Sequence, residues 1–377
     1  MRWPSGIRSA GVAGGIKPEG LDIGVLVADR PVAWAGMFTR NAAAAAPVLW
    51  SRSRLGSKVR ALVVNSGNAN ACTGTPGTDA VAATAHAAAA SLGCEADEIL
   101  IASTGPIGVQ LPVAKLLGAL PGAIASAGEE PTTFTEAILT TDTGPKTSEA
   151  AAGSATVVGV AKGAAMIAPN MATMLAFLAT DARLDDDELN SHLRSAVGRS
   201  FDRISVDACE STNDSVFLMS TGEVEVGSDA FASAVLAVCK DLAEQIVRDA
   251  EGATKVLRIQ IEGAASEAAA VALGRAVAAS DLWRAAVHGR DPNWGRVAAA
   301  LGSVERGLDM GLLEISIGPE LVFGRGEPCG SLDVAAKAMG EPELTISCVV
   351  GDGAGAAEIL SADLSEDYVT LNAEGTT

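Results

Sequence analysis

Almost at mid-chain, the segment from Lys162 to Leu175 is packed with small and apolar residues and holds one lysine and one threonine. The chemistry open to Thr173 is nucleophilic attack. A threonine hydroxyl is weak unless a base stands beside it, and the three histidines, His86, His192 and His288, sit in no recognisable triad setting. An amino-terminal threonine carries its own base, because an α-amine titrating near ~8 can take the hydroxyl proton. That amine exists only if the Ala172-Thr173 bond is cut. From its surroundings alone, Thr173 reads as a core or turn residue.

Other segments offer polar groups in turn-forming surroundings. Ser103-Thr104-Gly105-Pro106-Ile107-Gly108 follows a short apolar run. Glycine lets backbone N–H groups come close to a ligand, so two donors here could form an oxyanion hole; the other reading is an ordinary strand-to-helix turn. Asn65 through Gly74 is a polar loop heading an Ala-rich stretch. It reads either as an anion cradle at a helix start or as a turn in which Asn and Gly take left-handed conformations. It lacks the Gly-Lys-Ser/Thr ending of a P-loop. Asp291 to Arg296, near His288, is dense in turn formers and reads as a structural turn. Lys162 and Glu251 could pair with a carboxylate and an ammonium on a small zwitterionic substrate, or be solvated surface charges. Thr140-Thr141-Asp142-Thr143 reads as a polar turn.

The elements that must position these groups alternate. Leu21 to Ala28, Val59 to Val64, Ile99 to Ala102 and Thr156 to Val160 read as strands, the last delivering the chain to Lys162. Thr78 to Leu92 reads as a helix closed at Gly93. The run Met174 to Ala179 is continuously apolar, and its length favours a strand. Asp185 to Arg199 and Phe231 to Ala250 are predicted helices; Val256 to Glu262 and Leu344 to Val350 are predicted strands. Pro121 to Pro131, small and acidic, reads as a flexible link. The repeated β and α elements give an α/β or α+β class without fixing strand order.

At 377 residues and 48% hydrophobic with few aromatics, the chain predicts two domains or one large body with an Ala, Val, Leu and Ile core. A net charge of −19 argues against nucleic acid or an anionic membrane as partner. No window has the long uncharged run of a membrane helix, and the first sixteen residues lack a secretory apolar core. Six scattered cysteines without a Cys-x-x-Cys pair are expected to be buried reduced thiols, and a cytoplasmic location follows.

Lys162-Gly163-Ala164-Ala165-Met166-Ile167-Ala168-Pro169-Asn170-Met171-Ala172-Thr173-Met174-Leu175 resembles the self-cleavage segment of the glutamate N-acetyltransferase/ornithine acetyltransferase family of arginine biosynthesis. The resemblance runs in order from about Gly6 through Thr377. It implies that the Ala172-Thr173 bond breaks, giving an α chain of residues 1–172 and a β chain of 173–377 that begins with the nucleophile. It implies an oxyanion site at Thr104 and Gly105, and substrate contacts at Thr140 or Thr141, Lys162, Thr173, Glu251, Asn372 and Thr377. The fold it implies is a layered α-β-β-α sandwich with a second αβ portion, in a heterotetramer of two α and two β chains. The implied substrates are N2-acetyl-L-ornithine and L-glutamate. No metal or cofactor is implied, and acetyl-CoA as a second donor is left open. A self-processing amidase or aminopeptidase of related fold, and a non-catalytic small-anion binder, are the competing readings.

Overall fold

The computed structural model describes residues 1–166 and 174–374. The expected scission at Ala172-Thr173 and the expected substrate contact of Thr377 lie outside those residues.

Fourteen strands among the described residues form two sheets. The first comprises β1 (Ile7–Val12), β2 (Ile23–Phe38), β3 (Val59–Ser66), β4 (Ile99–Thr104), β5 (Lys146–Ala152), β6 (Ala155–Lys162), β7 (Leu175–Arg183) and β8 (Ser215–Glu225). Its order is β4-β3-β2-β8-β7-β6-β5, with β1 antiparallel to β2. The long β2 joins two halves. Residues 23–27 and Val32 pair with β3, and residues 33–38 pair with β8.

Side-chain alternation turns these halves into layers. Along β7, Leu175, Phe177 and Ala179 face a core shared with Leu26, Leu62 and Leu100 of the other half. Ala176, Leu178 and Ala182 face the opposite way, against the helices Asp186–Gly198 and Ser228–Arg248. Val25, Val27, Val63 and Ile101 pack under the helices Gly74–Leu92 and Val113–Ala125. The result is helix, sheet, sheet, helix: the expected α-β-β-α sandwich. Between the sheets Phe177 stacks on Phe217 with centroids 5.7 Å apart, and Phe134 meets Phe177 edge-on at 5.1 Å.

The second portion is a six-stranded sheet of β9 (Val256–Ala264), β10 (Glu314–Ile317), β11 (Glu320–Gly324), β12 (Glu327–Pro328), β13 (Glu343–Val349) and β14 (Gly355–Ala362), ordered β12-β11-β10-β13-β9-β14. It has its own core with the helices Glu267–Ala278, Asp281–His288 and Trp294–Val304.

Two expectations are corrected. Pro121 lies inside the helix Val113–Ala125 and opens no flexible link. Leu116, Leu120 and Ala123 form a fully buried stripe at helical spacing, and that burial outweighs the ~3 kcal/mol an interior proline costs. The remainder of that stretch is pinned to the N-terminus, where Trp3 N donates to Glu129 O at 2.8 Å and Ser9 N to Gly128 O at 2.7 Å. Of the six free cysteines only Cys239 and Cys348 are buried; Cys72 and Cys209 are exposed. Burial pushes the Cys239 and Cys348 thiols up to about 12, because the thiolate cannot be solvated there. Among the described residues no helix is long and apolar enough to cross a membrane.

Candidate active site

Two strand ends meet at one cavity, with the start of a third beside them. β4 ends at Thr104, β6 ends at Lys162, and β7 starts at Leu175 directly opposite Lys162 in register. Thr104, Gly105, Thr140, Thr141, Lys162 and Met166 line the cavity. An adjoining one shares Thr104, Gly105 and Met166 and adds Ser211, Thr212 and Asn213.

Gly105 has φ +139, a backbone state side chains rarely adopt. A Cβ there would lie 2.4 Å from Asn68 N and 2.6 Å from Gly67 C. The close approach is required because the turn is stapled to the Asn-rich loop. Asn68 N donates to Thr104 O at 3.0 Å, Ala69 N to Pro106 O at 3.1 Å, and Gly108 N to Ala71 O at 3.0 Å. Asn70 (φ 47), Gly67 (φ 84) and Gly74 (φ 63) have positive φ, as the turn reading of this loop expects, and so does Cys72 (φ 56), which that reading did not include. Buried Asn213 completes the frame by donating to Ala69 O at 2.7 Å and Ser103 O at 2.8 Å. Gly105→Ala is therefore expected to push the turn off the loop and, on the oxyanion role that the resemblance implies for Gly105, to lower kcat about 10²- to 10³-fold. The check is kcat at saturating substrate, together with a circular dichroism spectrum that stays native.

Lys162 is fully buried, yet its ammonium has partners. It donates to Thr140 Oγ1 at 2.6 Å and Thr104 Oγ1 at 3.3 Å, and Asp142 Oδ2 lies 3.7 Å away. Burial lowers the Lys162 pKa, with Asp142 opposing the shift and Lys146 reinforcing it. The wholly buried Asp142 carboxylate is the hub of this cluster. It accepts Gly163 N at 2.6 Å, Thr140 N at 3.1 Å and Lys146 Nζ at 2.7 Å. Burial alone would raise its pKa, but the two lysines and the Gly163 N–H outweigh it and hold the carboxyl far below the usual range. Lys146 is held in turn by Asp249 at 2.5 Å.

Glu251 is tied to the same place, since its N–H donates to Ala164 O at 2.9 Å, two residues beyond Lys162. Asn372 Nδ2 donates to Glu251 Oε2 at 3.1 Å, and Oε1 is buried without a partner among the described residues. Asn372 is brought there by the helix Glu366–Glu374. That helix is anchored by Asp363, whose carboxylate accepts Thr254 N at 2.8 Å, Lys255 N at 2.9 Å and a contact from His288 Nδ1 at 2.8 Å. His288 Nε2 faces Glu366 at 3.1 Å. Both of its nitrogens face carboxylates at the C-terminal helix, and His288 does not line the cavity at Thr104. Asp291 to Arg296 is a structural turn, with Arg290 left-handed before it and the helix Trp294–Val304 after it.

Thr104, Gly105, Thr140, Thr141 and Lys162 therefore line one cavity, with Glu251 and Asn372 joined to it through Ala164. Met174, the residue after Thr173, donates its N–H to buried Asp214 at 3.1 Å. Sequence reasoning passed over Asp142, Lys146, Asp249, Asn213 and Asp214. The Lys146 spacing from Asp142, four residues, was a signal in the chain; the 103-residue gap to Asp249 was not.

Layered fold and gathered polar groups together define an αββα sandwich with a polar cavity where its strand ends converge. A model of the ArgJ family matches residues 8–377. The arginine biosynthesis bifunctional protein ArgJ of Thermus thermophilus is 44% identical over 388 residues, covering 100% of both chains. The protein of that name from Streptomyces avermitilis is 44% identical over 373 residues, 97% of each. Among solved structures, the arginine biosynthesis bifunctional protein argJ of Bacillus halodurans aligns at 34% identity and a TM-score of 0.51 over 53% of this chain and 98% of its own. The chain belongs to the ArgJ family.

Proposed function

We propose that acetyl transfer takes place at the cavity lined by Thr104, Gly105, Thr140, Thr141 and Lys162. The chain is an acetyltransferase of arginine biosynthesis that moves acetyl from N2-acetyl-L-ornithine to L-glutamate. Thr173 Oγ attacks the acetyl carbonyl while its own α-amine takes the hydroxyl proton. Thr104 and Gly105 hold the oxyanion. The proton passes to the departing ornithine amine, and the glutamate amine then attacks the acyl-enzyme ester to release N-acetylglutamate. Water must be kept from that ester.

The observation that carries this reading is Lys162 Nζ within hydrogen-bonding distance of both Thr104 and Thr140, beside the start of β7. Thr173 precedes that strand by two residues. Lys162 offers a charge for a substrate carboxylate, and the unsatisfied Glu251 oxygen offers one for the ornithine ammonium.

In this reading the mature enzyme consists of residues 1–172 and 173–377. β7 is paired with β6 on one side and β8 on the other. Cutting before Thr173 leaves the β6–β7 and β2–β8 ladders and two of the sandwich's core clusters shared between the pieces, so they stay associated. The solved relative's chain, matched over nearly its whole length by about half of this one, fits a two-piece enzyme. Two such pairs in the cytoplasm make the heterotetramer.

The test is to incubate purified protein with N2-acetyl-L-ornithine and glutamate and follow both products. Stoichiometric N-acetylglutamate is expected; net release of acetate without it would favour the amidase reading. Lys162→Ala and Glu251→Ala are expected to be cut normally but to show KM raised about tenfold or more, the scale of losing a charge-assisted hydrogen bond. Unchanged kinetics would remove them from the pocket.

A further inference from the structure

The amine that activates Thr173 for acetyl transfer is a product of scission, so it cannot start scission. While Ala172-Thr173 is still a peptide bond, the hydroxyl needs a different proton acceptor.

Asp214 stands immediately before β8. β7 and β8 run parallel with Leu175 opposite Ser215, which sets position 214 beside position 174. The carboxylate spans that gap, and its Oδ1 accepts Met174 N at 3.1 Å. Its backbone is held as well, since Thr39 N donates to Asp214 O at 2.9 Å and Ser215 N to Met174 O at 3.3 Å. The preceding residue, Asn213, is fixed by its bonds to Ala69 O and Ser103 O and lines the cavity beside Thr104. Asp214 is wholly buried, and its Oδ2 has no hydrogen-bond partner among the described residues. A buried carboxylate oxygen left unsatisfied is costly, so it calls for a partner. Covalent structure offers one, because only the Thr173 carbonyl carbon and Cα separate Met174 N from the Thr173 nitrogen.

The other acceptors near the cavity are engaged or tied elsewhere. Asp142 has both oxygens in bonds to Gly163 N, Lys146 Nζ and Thr140 N. Lys162 Nζ donates to Thr140 and Thr104. Glu251 also has a buried unpaired oxygen, but its backbone is fastened to Ala164 rather than to the start of β7. Burial raises the Asp214 pKa well above the usual carboxylate range; Glu210 adds to the rise, while the Met174 N–H, the Ser211 hydroxyl and Lys162 oppose it. A carboxylate of raised proton affinity is a stronger base than a solvated one.

We propose that Asp214 is the base that starts the cutting of Ala172-Thr173. This rests on the reading that the chain is cut at that bond. Asp214 Oδ2 takes the Thr173 Oγ proton as Oγ attacks the Ala172 carbonyl carbon. It returns that proton to the Thr173 nitrogen as the carbon–nitrogen bond breaks. Ala172 is then joined to Thr173 Oγ by an ester, which water hydrolyses to a carboxylic acid and the free hydroxyl. Asp214 ends ionised, as it began, beside the new amine.

The experiment follows full-length chains over time after cell-free synthesis, by intact mass and at several pH values, for wild type, Asp214→Asn and Asp214→Glu. Asparagine keeps the size and an acceptor for Met174 N–H but takes up no proton. Asp214→Asn is expected to show a native circular dichroism spectrum and to be cut at least about 10²-fold more slowly, the scale of losing a general base. Its residual rate should rise about tenfold per pH unit as hydroxide replaces the side chain. Asp214→Glu should restore part of the wild-type rate. Asp214→Asn cut as fast as wild type would show that the carboxyl only holds Met174 N–H, and would overturn the proposal. Should Asp214→Asn lose the native spectrum, Asp214→Glu decides: cutting faster than the asparagine chain supports the role, and a native but uncut protein overturns it. Wild-type chains that stay whole would instead refute the reading that the bond is cut at all.

Discussion

Thr173→Ala protein is expected to purify as one unbroken 377-residue polypeptide and to transfer no acetyl groups. Wild-type protein should give two masses, for residues 1–172 and 173–377, that run together under native conditions. On the proposed mechanism the substitution removes both the attacking hydroxyl and, by blocking scission, the amine that activates it, so kcat should fall by at least about 10⁴-fold. Met174 keeps its bond to Asp214, and β7 keeps its pairing with β6 and β8. Thr173→Ser separates chemistry from packing, because it retains both hydroxyl and amine; it should be cut and retain a measurable fraction of activity. Intact-mass spectrometry with an acetyl-transfer assay reads both effects. An alanine variant that still makes N-acetylglutamate would sink the assignment of Thr173.

The fold was legible where a strand or helix announces itself locally. Val59–Ser66 and Ile99–Thr104 are apolar runs ended by polar turns, and the helix Gly74–Leu92 stops at Gly93 in the left-handed state the sequence expects. β7 was ambiguous by periodicity because both its faces are buried, one under each core. β2 was read only as far as Ala28, since Asp29-Arg30-Pro31 looks like a terminus. In the structure those exposed residues form a bulge within one sixteen-residue strand. Proline is tolerated at such a bulge, where the ladder is already broken. That bend lets one chain segment belong to both layers, and no local signal in the sequence marks it. Short strands such as Glu314–Ile317 and Glu320–Gly324 gain their place only from neighbours in the sheet.

The site was legible in its motifs and hidden in its supports. Thr104, Gly105, Thr140 and Lys162 fall within quoted segments, and their meeting at one cavity is a product of strand order: β4 and β6 belong to different layers and converge only at their ends. The groups that hold them come from longer range. Asn213 bridges the Asn loop and β4 across more than a hundred residues, and Asp363 ties His288 to the Glu251 loop. A carboxylate that will be buried between two lysines looks in sequence like any acidic turn residue. Its worth depends on burial, which the chain does not spell out.

Asp142 is therefore the support whose loss should matter most. In Asp142→Ala the ammonium of Lys162 loses its buried counter-charge and Lys146 keeps only Asp249. Uncompensated buried charge typically costs about 3–5 kcal/mol, a large part of the ~5–15 kcal/mol that holds a domain folded. Denaturant unfolding should show that loss, and Thr140 and Gly163 should lose their anchor together. Asp142→Asn preserves volume and an acceptor for Gly163 N–H, so it should fold while KM rises, because Lys162 is left shifted further toward its neutral form. The sign of the pH dependence follows from the depressed folded-state pKa of Asp142. Its contribution is present above the unfolded value near ~3.9 and is lost only as pH falls through the lower folded value. The stability gap between wild type and Asp142→Asn should stay flat, as far as this group is concerned, from about pH 5 upward and close only in strong acid. A gap that closes near neutral pH would mean the carboxylate is not held by the two lysines.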